Sequence, residues 1–329
     1  MAATRRDNRV TFVQNFTCTA VAGITARTVI SPLDVAKVLM QVGTRDTHEG
    51  VLKTFNNVYN AQGIRAFWKG NFMGCLRLAP FSAIQFSAFH KVKQHLVDDS
   101  GRMSPMHAML AGSLAGMVAT VLTYPTDMVK TRLIVQNAQR KRYKGVTHAF
   151  SLIMKEEGLL AFYRGMFVSL IGSLPYTMVT FAAYETLDQV WNKPRYMYTP
   201  MQSLFNGCVA AAIAQLACYP FDTIRKKLQA QSPVIKDGGG VDVHFRGAIA
   251  AARATHRKYG YKGFWRGITP NLCKIVPYAG IMFMTFEALK RSMLYHNGYT
   301  VSVFDDTPKP GIDQTMQRSE LEAWRKRHT

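Results

Sequence analysis

One short motif occurs three times in this chain and sets an aspartate three residues before a base. The copies run from Pro32 to Lys37, from Pro125 to Lys130 and from Pro220 to Arg225, and each follows a long apolar run. Residues three apart share one face of a helix, so the carboxylate and the cation of one copy could form an ion pair. A single such pair is worth only about 0.2–0.5 kcal/mol. Three copies at a near-constant interval instead indicate a repeated functional element.

Glycines and prolines recur in step with this motif, at intervals that are identical in the three copies. The first copy has Gly50, Gly63, Gly70 and Pro80, the second has Gly145, Gly158, Gly165 and Pro175, and the third has Gly247, Gly260, Gly267 and Pro277. Such a period indicates a threefold internal repeat. Each repeat reads as an apolar helix, the charged motif, a short polar helix and a second apolar helix.

The apolar runs predict long helices that cross a membrane, since about 20 residues are needed to span the hydrocarbon. We predict long helices at 12–41, 72–96, 105–135, 167–191, 201–230 and 268–294, and short ones at 52–62, 147–157 and 249–259. The predicted fold is an all-α membrane protein with six transmembrane helices in three pseudo-symmetric repeats. The repeats are residues 12–100, 101–197 and 198–295, with polar tails at 1–11 and 296–329.

The charge and the motifs of the sequence limit the classes of function that it can have. The formal net charge is +21, which membrane-facing loops, anionic lipid and an anionic solute explain. No nucleic-acid recognition motif or basic arm is present, so we expect no nucleic-acid partner. The five cysteines lack metal-ligand spacing. No phosphate-binding glycine loop or catalytic triad appears either, so we predict a protein that is not an enzyme. Few residues precede the first span, so we expect no cleaved presequence.

Over residues 12–295 these motifs resemble those of the mitochondrial carrier family, solute carrier family 25. The resemblance implies a multi-pass transporter of the mitochondrial inner membrane that works by alternating access, as a monomer and without a cofactor. It also implies bound cardiolipin, at the helix starts after Gly50, Gly145 and Gly247 and at three aromatic-base-glycine motifs, which are Trp68 to Gly70, Tyr163 to Gly165 and Trp265 to Gly267. Backbone N–H groups at a helix start suit a phosphate.

The resemblance also assigns a gate on the matrix side, made of the three charged motifs. It pairs each aspartate with the base of the next repeat, and the prolines bring the helix ends together. The implied pairs are Asp34 with Lys130, Asp127 with Arg225, and Asp222 with Lys37. Glutamines matching the family's brace residues are Gln41 and Gln229. Ile134 occupies the second brace position, so one brace is absent.

A second gate, on the cytoplasmic side, is implied by the family's aromatic-acid-x-x-base pattern, which this chain keeps only in part. Two family pairs remain, Glu185 with Lys290 and Glu287 with Lys93. The third pair has swapped polarity, His90 facing Asp188. A histidine beside a carboxylate could be charged near neutral pH. The alternative is that His90 faces solvent.

The implied solute site is built from the second helix of each repeat. Equivalent positions hold Arg77, Gly172 and Lys274, and Arg27 adds a third base. Bases within a membrane are costly unless they face water or an anion. Gly172 with Tyr176 resembles the adenine pocket of nucleotide carriers, although Ser173 replaces the usual aliphatic residue. Tyr176 could instead be a packing aromatic.

These residues predict exchange of an anionic solute such as an adenine nucleotide or a coenzyme A-type compound. Two alternatives remain open at this point. One is a carrier of carboxylates or inorganic anions. The other, motivated by the altered cytoplasmic gate, is a degenerate carrier that acts as a proton leak or a structural partner.

Overall fold

A computed structural model describes residues 9–43, 50–97, 104–136, 142–191, 200–232, 245–304, 307–316, 318, 320 and 321. The regular structure of these residues is helical, apart from an isolated bridge between Thr300 and Pro308. They fall into two compact units, Arg27–Pro277 on the one hand and Met1–Ala26 with Tyr278–Thr329 on the other. The predicted all-α fold is confirmed.

The helices lie where the repeat pattern predicts them. In chain order they are α1 (Phe12–Val42), α2 (Val51–Gln62), α3 (Asn71–Leu96), α4 (Pro105–Val135), α5 (Val146–Glu157), α6 (Met166–Trp191), α7 (Pro200–Ala230), α8 (Ala248–Tyr259), α9 (Ile268–Cys273) and α10 (Ile275–Asn297). A short 3₁₀ turn follows each of α2, α5 and α8. The predicted single helix at 268–294 is wrong, because a turn at Lys274 separates α9 from α10. Pro277 has no N–H to donate to the Cys273 carbonyl, which weakens the helix at this turn.

Five described helical stretches are long and apolar enough to cross a membrane, one fewer than the six predicted spans. They are Val13–Val42, Met106–Val135, Leu159–Val190, Gln202–Ala230 and Tyr261–Asn297. Helix α3 has the necessary 26 residues, about 39 Å at 1.5 Å per residue. Its composition is less apolar, because it carries Arg77, Lys91 and Lys93. Phe72 and Phe86 on this helix are nonetheless exposed.

Two tryptophans donate hydrogen bonds to helix carbonyls that prolines inside the long helices leave without a helical partner. Proline leaves the carbonyl four residues earlier without its helical partner. In α1 that carbonyl belongs to Thr28, and it accepts a hydrogen bond from Trp68 Nε1 at 2.9 Å. In α7 the carbonyl of Leu216 accepts one from Trp265 Nε1, also at 2.9 Å. The aromatic residue of the aromatic-base-glycine motif therefore fixes the start of one helix against the middle of another.

The glycine of that motif brings each repeat against the next. Gly70, Gly165 and Gly267 have positive φ angles of 74°, 82° and 83°, a region that side chains other than glycine avoid. A Cβ atom at these positions would lie 3.0–3.2 Å from a backbone oxygen of the next charged motif. These oxygens belong to Lys130, Arg225 and Lys37, respectively. The contacts run in a cycle through all three repeats and set the charged motifs side by side.

Candidate functional site

Three carboxylates and three bases from the repeated motifs meet between helices α1, α4 and α7. Lys37 Nζ lies 2.8 Å from Asp222 Oδ2, and Lys130 Nζ lies 3.4 Å from Asp34 Oδ2. Arg225 Nη2 donates to Asp127 Oδ2. We call these six residues the charged ring. The structure therefore brings together the pairs that the family resemblance implies, and their action as a gate stays a prediction.

Two bases that the sequence assigns to the solute site contact the carboxylates of the charged ring instead of facing only water. Arg77 Nη1 lies 2.9 Å from Asp127 Oδ1, and Arg77 Nε donates to Thr123 Oγ1 at 3.1 Å. Lys274 Nζ lies 2.7 Å from Asp34 Oδ1. Each of these two aspartates thus holds a ring base with one oxygen and a predicted solute base with the other. The third equivalent position is Gly172, which has no side chain to offer Asp222.

A further cation, which sequence reasoning missed, lies beside the ring. Lys226 Nζ lies 3.9 Å from Asp127 Oδ2 and donates to Thr131 Oγ1 at 3.0 Å and to Gln229 Oε1 at 2.9 Å. The signal in the sequence was a base directly after the third motif, where the other copies have Val38 and Thr131. Lys226 is partly buried, with 12% of its side chain exposed.

Positive charge exceeds negative charge in this cluster. Its carboxylates are Asp34, Asp127 and Asp222, and its cations are Lys37, Arg77, Lys130, Arg225, Lys226 and Lys274. Arg27 approaches the same region, since its Nη1 lies 3.5 Å from where a Cβ at Gly74 would stand. The Arg27 Nε is buried and makes no hydrogen bond to a described residue. Uncompensated charge of this kind within a membrane is unfavourable, and an anion would relieve it.

A cavity of about 210 Å³ adjoins the charged ring between α4, α6 and α7. Three predicted solute residues, Gly172, Ser173 and Tyr176, line it together with Asp222 and Arg225 of the ring. The space is polar at the ring residues and aromatic at Tyr176, so it offers both a charged and an apolar surface to a small molecule.

The predicted flat slot at Gly172 is filled in this conformation. A Cβ at this position would lie 2.9 Å from Phe221 Cβ and 3.3 Å from Phe221 Cγ. The glycine therefore permits Phe221 of α7 to pack against the backbone of α6. A planar ligand group that used this slot would have to displace the Phe221 ring, and Phe221 also lines the cavity.

The two predicted brace glutamines are both buried, and their contacts differ. Gln229 Oε1 accepts hydrogen bonds from Lys226 and Thr131 and not from a base of the ring. The side chain of Gln41, in a residue 1% exposed, is close to that of Tyr219 but makes no hydrogen bond within the described part of the chain. Neither glutamine, in the part of the chain that the structure describes, bonds to a ring pair directly.

Two residues predicted for the cytoplasmic gate, His90 and Asp188, have contacts with other neighbours. The His90 ring packs edge-to-face on Phe86 with centroids 4.3 Å apart, and Asp188 accepts a hydrogen bond from Asn206 at 3.4 Å. Glu185 on α6 and Lys290 on α10 are half-buried, and Lys93 on α3 is exposed. The swapped His90–Asp188 pair and the two family pairs remain predictions.

A buried ion-pair network secures the second repeat at Glu157, which lies outside the membrane-spanning stretches. Arg132 donates through Nη1 and Nη2 to both oxygens of Glu157, and the side-chain exposures are 0% and 1%. Arg164 and Ser232 donate to the same carboxylate at 2.7 Å each. Burial raises the pKa of Glu157, but the hydrogen bonds and charge of Arg132, helped by Ser232 and Arg164, lower it further, so the net pKa is below its ordinary value.

The other two repeats have different residues at the position of Glu157, and these residues make different interactions. In the first repeat Lys69 donates to Gln62. In the third repeat the equivalent residue is Tyr259, and the Lys227 and Arg266 cations lie 5.2 Å and 4.2 Å from its ring centre, within the range of a cation–π interaction. Only the second repeat has an acid at this position, so the ion pair is particular to it.

Comparison with known proteins agrees with the repeat structure. A family model described as mitochondrial carrier protein matches residues 8–100, 101–195 and 196–297. The chain is 45% identical to solute carrier family 25 member 43 of Mus musculus, over 99% of this chain and 96% of that protein. It is 32% identical to the mitochondrial adenine nucleotide transporter ADNT1 of Arabidopsis thaliana, over 82% and 84% of the two chains. It is also 32% identical to the mitochondrial adenyl nucleotide antiporter SLC25A24 of Homo sapiens, over 83% and 57%.

Proposed function

This chain belongs to the mitochondrial carrier family, and on that premise we propose that it exchanges an anionic solute across the mitochondrial inner membrane. The solute that we favour is an adenine nucleotide, and a coenzyme A-type compound offers the same phosphate chemistry. Two relatives are named as adenine nucleotide carriers. The proposal includes alternating access of one binding site to the two sides, by a monomer that needs no cofactor.

The excess of cations around the charged ring is the observation that carries this proposal. Six cations surround three carboxylates within one cluster. Phosphate groups are acceptors of several charge-assisted hydrogen bonds, so a di- or triphosphate suits such a cluster better than a monoanion does. The anion replaces water around charges that the membrane otherwise penalises.

The solute opens the ring by competing for two of its cations. Arg77 and Lys274 bind the anion at the expense of their contacts with Asp127 and Asp34. Each aspartate then keeps its ring base alone, and the closed arrangement of the ring is weakened. Because only a ligand with different affinity for two states shifts their equilibrium, this exchange of partners links binding to the change of access.

The base of a nucleotide is accommodated on the aromatic side of the cavity. Tyr176 and Phe221 both line this space, and a purine can stack on an aromatic ring for about 1–3 kcal/mol. The filled slot at Gly172 favours a second candidate, a carrier of carboxylates or inorganic anions in which Tyr176 only packs.

Bound lipid is part of the same proposal. Each of the short helices α2, α5 and α8 begins after an N-cap glycine, which makes no side-chain hydrogen bond to the helix. Backbone N–H groups at a helix start without a side-chain cap suit the phosphates of cardiolipin.

Tyr176→Ala distinguishes the two candidate solutes. Binding of ATP and of inorganic phosphate to purified protein is measured by the rise in unfolding temperature, because a ligand of the folded state stabilises it. If the solute is a nucleotide, the variant binds ATP about tenfold more weakly or worse, while its response to phosphate is unchanged. The control is Phe86→Ala, which removes an aromatic ring from α3, a helix that does not line the cavity, and is expected to change neither response. Equal ATP affinity in Tyr176→Ala and wild type contradicts the nucleotide assignment.

A further inference from the structure

The segment after α10 is folded, although its composition predicts a polar tail. Tyr299 and Leu321 are 0% and 1% exposed. They form an apolar cluster with Leu294 of α10, against which Val10 and Ile312 also pack. We call residues 298–321, as far as they are described, the C-terminal clasp.

The end of α10 and the clasp both contact the residues at the start of α1. Asn297 Nδ2 donates to the Arg9 carbonyl at 2.9 Å, and the side-chain amides of Asn297 and Gln14 bond to each other in both directions at 3.0 and 3.1 Å. Arg9 Nη1 donates to Gln314 of the clasp at 3.2 Å. The clasp itself is held by Tyr299, whose hydroxyl donates to the Met316 carbonyl at 2.9 Å.

One guanidinium connects the clasp to a carboxylate that the family resemblance assigns to the cytoplasmic gate. Arg291 Nε lies 3.2 Å from Glu287 Oε1, one turn earlier on α10. Arg291 Nη1 donates to the carbonyl oxygen of Phe304 in the clasp, also at 3.2 Å. The clasp therefore fixes the orientation of the side chain that holds Glu287.

We propose that Arg291 is a positioning residue for transport, through which the C-terminal clasp holds Glu287 and delays closure of the cytoplasmic gate. This inference rests on the proposed function, transport by alternating access, and on the predicted pairing of Glu287 with Lys93 when the cytoplasmic gate closes. A carboxylate oxygen engaged by a fixed guanidinium is less available to a second cation. Arg291 must be released or shared before the gate pair forms, so the clasp stabilises the form in which the charged ring is closed.

The hydrogen bond from Arg291 ends on a backbone carbonyl, so a side-chain substitution at that residue can serve as a matched control. Phe304 bonds to Arg291 through its carbonyl, and its side chain is 90% exposed. Phe304→Ala therefore keeps the bond while removing the exposed ring. Arg291→Ala removes the bond and keeps the clasp, and Arg291→Lys keeps a cation near Glu287 but not the two-sided bridge.

The test is a distance measurement that needs no solute. Full-length protein with its native cysteines replaced carries spin labels at Gln94→Cys and Gln189→Cys, two exposed positions near the ends of α3 and α6. Double electron–electron resonance in liposomes then compares the populations of short and long distances. We expect Arg291→Ala to raise the short-to-long ratio about three- to thirtyfold, the range for losing a helix ion pair and a typical exposed hydrogen bond.

The variants separate a positioning role from a general loss of structure. Arg291→Lys gives an intermediate ratio, and Phe304→Ala gives the wild-type ratio. A chain ending after Gly298 loses the Phe304 carbonyl but keeps Arg291 beside Glu287, so it gives an intermediate ratio if it folds, and the point variants decide the matter if it does not. An unchanged ratio in Arg291→Ala, or an equal shift in Phe304→Ala, overturns the inference. Failure of the proposed function would appear separately, as absence of solute exchange in a protein whose distances still respond.

Discussion

The contact between Arg77 and Asp127 gives the sharpest test of competition between solute and charged ring. Asp127→Asn preserves shape but removes the negative charge that holds Arg77 at 2.9 Å. With side-chain exposures of 20% and 11%, this contact is largely shielded from water, and a hydrogen bond between charged groups contributes about 1.5–3 kcal/mol. Arg77 released from this bond should bind an anion at least about tenfold more tightly, since about 1.4 kcal/mol corresponds to tenfold.

The assay is calorimetric titration of ATP into purified protein at one fixed ionic strength. Neutralising any carboxylate also makes the site more positive, so the variant is compared in two backgrounds. If Asp127 acts by occupying Arg77, the gain in affinity disappears in the Arg77→Ala background. A gain of the same size in both backgrounds would show a general electrostatic effect. No gain in either would refute the reasoning that solute and ring share Arg77.

Three further perturbations follow from the same contacts. Swapping the charges of Lys37 and Asp222, which pair at 2.8 Å, should recover part of the exchange rate lost in each single alanine variant; a double variant slower than both singles would contradict this pairing. If His90 meets Asp188 when the cytoplasmic gate closes, His90→Asn and Asp188→Asn should each slow exchange and the double variant should be no slower than either single variant, whereas additive losses favour a solvent-facing His90. Glu157→Gln breaks a buried ion pair and should destabilise the protein by about 3–5 kcal/mol at neutral pH. Because the folded-state pKa of Glu157 is lowered, its stabilisation is complete above the ordinary value of 4.5 and is lost as the pH falls through the lowered pKa, so the unfolding temperatures of variant and wild type should converge in acid.

The helices could be predicted from the sequence because their signals are local. Apolar runs, glycines and prolines at fixed intervals placed nine of the helix starts within one residue of the structure. The break at Lys274 was missed, since Pro80 and Pro175 occupy equivalent positions in helices that continue. The repeat pattern gave no reason to treat Pro277 differently.

The site was only partly predictable, because its contacts depend on the reach of individual side chains. The ion pairs of the charged ring were predicted from the family resemblance, because the family's fold determines which charged motifs lie side by side. Nothing in the spacing indicated that Arg77 and Lys274 would extend to the ring carboxylates. The packing of Phe221 against Gly172 also needs the three-dimensional register of α6 and α7.

The clasp was missed for a different reason. Residues 296–329 are rich in polar and charged side chains, and their few apolar residues have no helical or strand period. Tyr299 and Leu321 are buried by packing on Leu294, and the partly buried Val10 and Ile312 pack against this cluster, so the cluster depends on contacts between the two ends of the chain. Composition alone therefore predicts a polar tail for this segment.

Exchange in liposomes tests the central claim most directly. Purified protein is reconstituted with internal ATP, and uptake of labelled ATP is followed with wild type, Arg77→Ala and Lys274→Ala. The account predicts uptake that depends on internal nucleotide and is lost in both variants, while the unfolding temperatures show that both remain folded. Uptake at the wild-type rate by either variant, or no uptake by wild-type protein of ATP, a carboxylate or phosphate, would contradict the claim that these bases bind an exchanged anion.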